Sequence, residues 1–345
     1  MSTQLTIQEI RSLPKIDLHR HLDCSMRWST LLEVAKTLKI DYPTLVADQR
    51  SHFLVTEPMK DLNAVLNKFL VAQKVLASEE ILERLAFEAC EDAFNDGVRI
   101  LEMRYAPSFI ADGHSNLNYE KIHQAFLRGL KKAEKQMNIA IGLICILQRI
   151  LPFEKTSFIT DFAIENKDTF IALDLADNED GFEPKKFAPL FNKAKNAGLH
   201  ITVHSGETPH KDAGQWIKDS IEILGAERIG HGVQSINHPE IIQLLINKNI
   251  PLEICPYSNY LTQAFTTLSN HPLKKLYDLG VKVTLNSDDP GMFASLLSDE
   301  FQIAQQFQGF TTEHFNRCIL NAFEHSFISI DKKLKAFSGE SMPLC

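Results

Sequence analysis

Eight short runs of β-branched and aliphatic residues recur along the chain, each ending in polar residues and each followed by a segment with room for a helix. They are IDLHRHLD (16–23), VRILEMRYAP (98–107), IAIGLICILQR (139–149), TFIALDLAD (169–177), LHITVHSGE (199–207), RIGHGVQ (228–234), IPLEICPYSN (250–259) and VKVTLNSDDP (281–290). Strands alternating with helices pair in parallel through right-handed crossovers. Eight of them predict an α/β fold closed into a (β/α)8 TIM barrel. A length of 345 residues would by itself allow about two domains. No Gly-, Pro- or Ser-rich linker, repeat or low-complexity tract divides the chain, so a single barrel domain over 1–345 is expected. Several strands follow helix-stop signals, NDG (95–97), NAG (196–198) and DLG (278–280), where glycine takes the left-handed conformation that ends a helix.

Residues 24–97 are too many for one crossover, and Leu62, Val65, Leu66, Phe69 and Leu70 fall at helical spacing. Extra helices near the barrel mouth are expected there, with these positions, Trp28 and Phe53 read as core. SDEFQIAQQF (298–307) and the segment 312–336 read as closing C-terminal helices.

Lys plus Arg number 36 against 44 Asp plus Glu, a net charge of -8. That balance argues against a phosphate-neutralising nucleic-acid surface and for a small-molecule substrate. Six cysteines, at 24, 90, 145, 255, 318 and 345, form no C-x-x-C pair, so neither a thiolate zinc site nor a disulfide framework is indicated, and a reducing cytoplasm is expected. The opening MSTQLTIQEIRSLPK carries no signal-peptide core. No uncharged apolar run approaches the ~20 residues of a membrane helix. A soluble cytoplasmic protein with no membrane partner is expected; oligomeric state is not legible.

In IDLHRHLD the period of two puts Asp17, His19, His21 and Asp23 on one face, which no ordinary core would tolerate. Reactive groups of a barrel sit where its strands finish. His19 and His21 end the first strand, His204 and Glu207 the fifth, His231 the sixth, and Asp288 with Asp289 the eighth. H-x-H alone is weak, since a buried histidine satisfied by hydrogen bonds is commoner than a ligand. A third His and an Asp at two other strand ends make a His3Asp set of the kind a catalytic divalent metal uses. Glu207, His231 and Asp289 around a metal-bound water would form a proton-transfer set. The plain readings are a turn residue before Pro290 for Asp289 and a packed ring between glycines for His231; each is serious alone, and they are jointly poor. The fourth run holds no Lys to bridge two metals, so one ion is expected.

LHRHLDCS (18–25), DLADNE (174–179), VHSGE (203–207), RIGHG (228–232), EICPYSN (253–259) and NSDDPGMF (286–293), in that order, resemble the adenosine deaminase family of the amidohydrolase superfamily across nearly the whole chain. The resemblance implies one Zn2+ bound by His19, His21, His204 and Asp288. It implies that Glu207 protonates the purine ring nitrogen next to the reacting carbon, and that His231 and Asp289 orient and deprotonate the water. His21, Asp23, Asp177 and Asp289 would contact substrate, Asp23 through the ribose. Hydroxide would attack carbon 6 of adenosine or 2'-deoxyadenosine and ammonia would leave, a step of purine metabolism. Two positions depart from the family: Cys24 stands for a usual Gly, and Ala176-Asp177 for a usual Ala-Gly. Asp177 either reshapes the pocket or caps a turn. Relatives acting on adenine or on aminodeoxyfutalosine stay open as alternatives, and Arg27 is either a carboxylate anchor or an exposed helix-start residue. A cytidine-deaminase type is set aside because its H-x-E and P-C-x-x-C signature is missing. A non-catalytic zinc-containing binding module would have no need of Glu207, His231 and Asp289.

Overall fold

The computed structural model describes residues 4–338; Cys345 and residues 1–3 of the opening stretch lie outside them. Eight strands form one sheet in chain order: β1 (Lys15–His21), β2 (Val98–Tyr105), β3 (Ala140–Gln148), β4 (Phe170–Ala176), β5 (His200–Ser205), β6 (Arg228–His231), β7 (Leu252–Ile254) and β8 (Val283–Leu285). All seven successive pairs are parallel. The ring closes at its C-terminal rim through a parallel bridge between Arg20 and Asp288. There His21 N–H donates to Asp288 O at 2.8 Å, and Asp288 N–H to His19 O at 2.9 Å. This is the expected (β/α)8 barrel.

The later strands are shorter than the runs that announced them. β5 stops at Ser205 and β8 at Leu285, so Glu207, Asp288 and Asp289 stand on the loops just past the strands. Asp177, His231 and Asp288 have φ of +84°, +59° and +58°, angles that leave the extended conformation and end pairing.

Four helices fill the stretch between β1 and β2: Trp28–Thr37, Val46–Phe53, Leu62–Gln73 and Glu79–Asn95. The last starts at Ser78, whose side chain accepts from Ile81 N–H, and buries Leu82, Leu85, Ala86, Ala89 and Ala93 along one face. Phe53 is fully buried with the Trp28 ring 6.2 Å away, as core. Leu62, Val65, Leu66, Phe69 and Leu70 differ from their expectation: they line the pocket at the barrel mouth. Helical spacing identifies an apolar face but not what that face covers. The closing helices are Leu297–Gln308, Thr312–His325 and Ile330–Ala336, and Thr312–His325 packs across the β8/β1 seam. The five described cysteines are buried and free, and no helix among the described residues is long and apolar enough to cross a membrane.

At the opposite end of the barrel, Lys15 is buried and its Nζ donates to Ile10 O at 2.8 Å and Leu13 O at 3.1 Å. Burial pushes its pKa down to about 8. Gly97 begins the turn into β2 with φ +90°, and a Cβ there would lie 2.3 Å from Arg11 O and 2.5 Å from Leu13 O. The Gly97→Ala variant is expected to lose about 1–3 kcal/mol from the backbone angle alone, and more from the clash, read as a lowered urea midpoint.

Candidate active site

The rim gathers residues that the sequence keeps far apart. His21 Nε2 lies 3.2 Å from His204 Nε2, and both His19 Nε2 and His21 Nε2 lie 3.4 Å from Asp288 Oδ1. His19, His204, His231 and Asp288 each bring one ligand-type atom within 4.8 Å of the others, and His21, Asp288 and Asp289 form an overlapping group.

Partners on the far side of the rings set what each presents. His19 Nδ1 faces Glu253 Oε2 at 2.7 Å and His204 Nδ1 faces Asp174 Oδ2 at 3.0 Å. A carboxylate accepts, so each ring carries its proton on Nδ1 and turns the Nε2 lone pair to the centre. His19 Nε2 is buried there without a hydrogen-bond partner. Lone pairs and carboxylate oxygens crowded together without a donor repel one another, and the set fits a divalent cation.

Beneath the rings lies a buried ionic layer. Arg104 reaches Asp174 and Glu253, each at 2.8 Å, and donates to Leu18 O at 2.7 Å. Arg228 Nε donates to Glu253 Oε1 at 2.5 Å, while its Nη2 makes a 2.7 Å ion pair with Glu102 that lacks hydrogen-bond alignment. Burial pushes the Asp174 and Glu253 carboxyls up, but the cations around them outweigh it. His204 and Arg104 hold Asp174 below the usual carboxylate range, and Arg104 and Arg228 do so for Glu253.

Glu207 stands on the loop after β5. Gly206, with φ +70° and Ile217 Cδ1 2.4 Å from where a Cβ would be, makes the turn. The N–H groups of Gly206, Glu207 and Thr208 converge on the Glu179 carboxylate at 2.8, 2.8 and 2.7 Å, a backbone nest holding a buried side-chain anion. Thr262 Oγ1 donates to Glu207 Oε1 at 3.0 Å, leaving Oε2 3.7 Å from His231 Nε2. Burial first, then the charges of Asp288 and Glu179, push the Glu207 carboxyl up to about 8.

One pocket contains these groups, roofed by Leu62, Val65, Leu66, Phe69 and Leu70. Asp23, Asp177, Glu207, Asp288 and Asp289 line it, and no Lys or Arg does. Asp23 Oδ2 accepts from Ala106 N–H at 3.0 Å, while its Oδ1 is buried without a partner and burial pushes the carboxyl up to about 7. Asp289 is raised by burial and then by the charge of Asp288, which a bound cation would offset. Asp177 adopts the positive φ that favours glycine, holding itself there by accepting from Asn178 N–H at 2.7 Å and Gln148 Nε2 at 2.9 Å. Cys24 has no positive φ, so its backbone does not require the family's glycine. Arg27 is neither free nor in this pocket: it binds Asp92 at 2.8 Å and Glu91 at 2.6 Å beside a separate cavity.

Several residues of the site had no role in the sequence reading. Asp174, Glu179, Glu253 and Asn259 lie inside the quoted motifs, and a carboxylate in mid-strand such as Glu253 was their signal. Thr262 and His271 gave none.

The adenosine deaminase family profile matches residues 14–339. An adenosine deaminase of Clostridium botulinum (strain Kyoto / Type A2) is 35% identical over 337 residues, covering 96% of this chain and 98% of that protein. Among solved structures, the N6-methyl-AMP deaminase of Arabidopsis thaliana superposes with a TM-score of 0.81 at 27% identity, over 96% of this chain and 97% of that one. The adenine deaminase of Arthrobacter aurescens reaches a TM-score of 0.87 at 24% identity, over 94% and 97%, a likeness of fold. With barrel, rim cluster and sequence in agreement over nearly its full length, the chain belongs to the adenosine deaminase family and is a hydrolytic deaminase.

Proposed function

We propose that the protein hydrolyses adenosine and 2'-deoxyadenosine to the corresponding inosine nucleoside and ammonia. The observation that carries this reading is a buried carboxyl, Glu207, raised to about 8 and set beside the histidine and aspartate cluster in one pocket. His19, His21, His204 and Asp288 would hold one Zn2+, which when bound lowers the pKa of water from 15.7 toward about 7 and so supplies a nucleophile at neutral pH. Glu207, protonated at Oε2, would give its proton to the purine ring nitrogen next to C6 and make that carbon electrophilic. His231 and Asp289 between them orient the attacking oxygen and take its proton. Oxygen bonds to C6, the C6–N bond breaks, and the amine leaves as ammonia.

Charge supports a neutral nucleoside. Five carboxyl groups and no cation line the pocket, so a phosphate or carboxylate extension would meet like charge. With Arg27 engaged elsewhere, the aminodeoxyfutalosine reading has no partner for its benzoate. The open Asp23 Oδ1 favours a substrate with a sugar hydroxyl over free adenine.

Ammonia release measured on adenosine, 2'-deoxyadenosine, adenine, aminodeoxyfutalosine and AMP tests the reading. Adenosine is expected to exceed AMP by at least about a hundredfold in kcat/KM, and turnover of none of the panel by metal-replete protein would favour a binding module. Glu207→Gln should keep its zinc and lose about 10²–10⁴-fold in kcat; near wild-type turnover would remove the residue from its role. Asp174→Asn, which weakens the acceptor fixing the His204 tautomer, should lower metal affinity by about 10–100-fold in a chelator competition.

A further inference from the structure

His231 ends β6 with its ring held from behind by a hydrogen-bond chain whose polarity begins at a fixed donor. The peptide N–H of Leu273 donates to His271 Nδ1 at 3.1 Å. His271 is buried, and burial pushes its pKa down to about 3, so the ring is neutral. A neutral imidazole that accepts at Nδ1 carries its hydrogen on Nε2. That N–H donates to Asn259 Oδ1 at 3.1 Å, which sets the orientation of the carboxamide and turns its NH2 toward His231. Asn259 Nδ2 then donates to His231 Nδ1 at 3.1 Å. His231 accepts at Nδ1, and its own hydrogen sits on Nε2, inside the site.

The direction of this chain removes two roles from His231. Its Nε2 has no lone pair with which to accept a proton or bind an ion, although it lies within the cluster distance. The Nδ1 lone pair is occupied by Asn259. What remains is donation: Nε2 stands 3.7 Å from Glu207 Oε2 and 3.8 Å from Asp288 Oδ2, too far to hydrogen-bond either, so its N–H is left for a third acceptor at the reacting centre. Asp289 Oδ1 is buried nearby without a partner.

We propose that His231 is a hydrogen-bond donor to the attacking oxygen, held in its Nε2–H tautomer by the Leu273, His271 and Asn259 relay, and that Asp289 alone accepts the water's proton. The proposal rests on the deaminase reading above and divides a role that reading left shared. The water O–H bond breaks, its proton goes to the Asp289 carboxylate, and the oxygen bonds to C6 while Glu207 protonates the ring. As the C6–N bond breaks, the proton on Asp289 passes to the departing amine. Asn259 and His271 are positioning residues, acting through His231.

The test is the two-bond 15N–1H spectrum of zinc-loaded protein with 15N-labelled histidine, His231 being assigned by the signals lost in His231→Gln. The expected wild-type pattern is a protonated Nε2 and an unprotonated Nδ1; a proton on Nδ1 overturns the proposal, whatever the substrate proves to be. Asn259→Asp offers only acceptors, so it should move the His231 hydrogen to Nδ1 and lower kcat by about a hundredfold or more, with KM within about threefold. An inverted tautomer with undiminished kcat would also overturn it. If Asn259→Asp does not fold, the wild-type spectrum decides alone. Absence of ammonia release from adenosine by the wild type would sink the substrate reading and leave the spectrum to judge the relay.

Discussion

Glu253, on β7 in the middle of the barrel, joins the frame of the fold to the chemistry at its rim. Its two oxygens meet Arg104 from β2, Arg228 from β6, the Thr202 hydroxyl from β5 and the His19 ring from β1. A carboxylate taken out of water without partners would cost several kcal/mol, so these contacts form together or not at all. The same contacts orient His19, and Arg104 extends the layer through Asp174 to His204. Ring orientation at the rim is thus a consequence of closing the barrel on its buried charges.

Two classes of carboxyl group result. Asp174 and Glu253, in contact with guanidinium groups, are held ionised below the usual range. Asp23 and Glu207, equally buried but away from cations, are pushed up toward neutrality. Environments that drive similar groups apart are how one site contains both acceptors for its ligand rings and an acid for its substrate. Withholding Lys and Arg from the pocket serves the same end, since a cation there would ionise Glu207.

Backbone strain gathers at the same rim. Asp177, His231 and Asp288 are among the seven non-glycine residues with positive φ in the described chain, and each stands where a strand gives way to a pocket loop. Conformations of this kind cost about 1–3 kcal/mol each and persist where surrounding contacts overdetermine them. For Asp288 those contacts are the seam hydrogen bonds to β1; for His231, the Asn259 relay.

The barrel was legible in the sequence because its physics is local. Apolar runs of strand length, polar residues at their ends and glycines at helix stops each record a backbone requirement at one position, and His19, His21, His204, Glu207, His231, Asp288 and Asp289 all fell at strand ends. The motifs carried the family for the same reason. Relations between side chains belonged to the tertiary structure alone: the Glu253 hub, the Glu179 carboxylate inside the 206–208 nest, the apolar helix that became a pocket roof, and the removal of Arg27 to Asp92. These depend on distances between segments tens to hundreds of residues apart, and on the direction in which each hydrogen bond runs. A linear chain encodes such geometry only through the closed fold, where burial turns every polar group's choice of partner into a free-energy requirement.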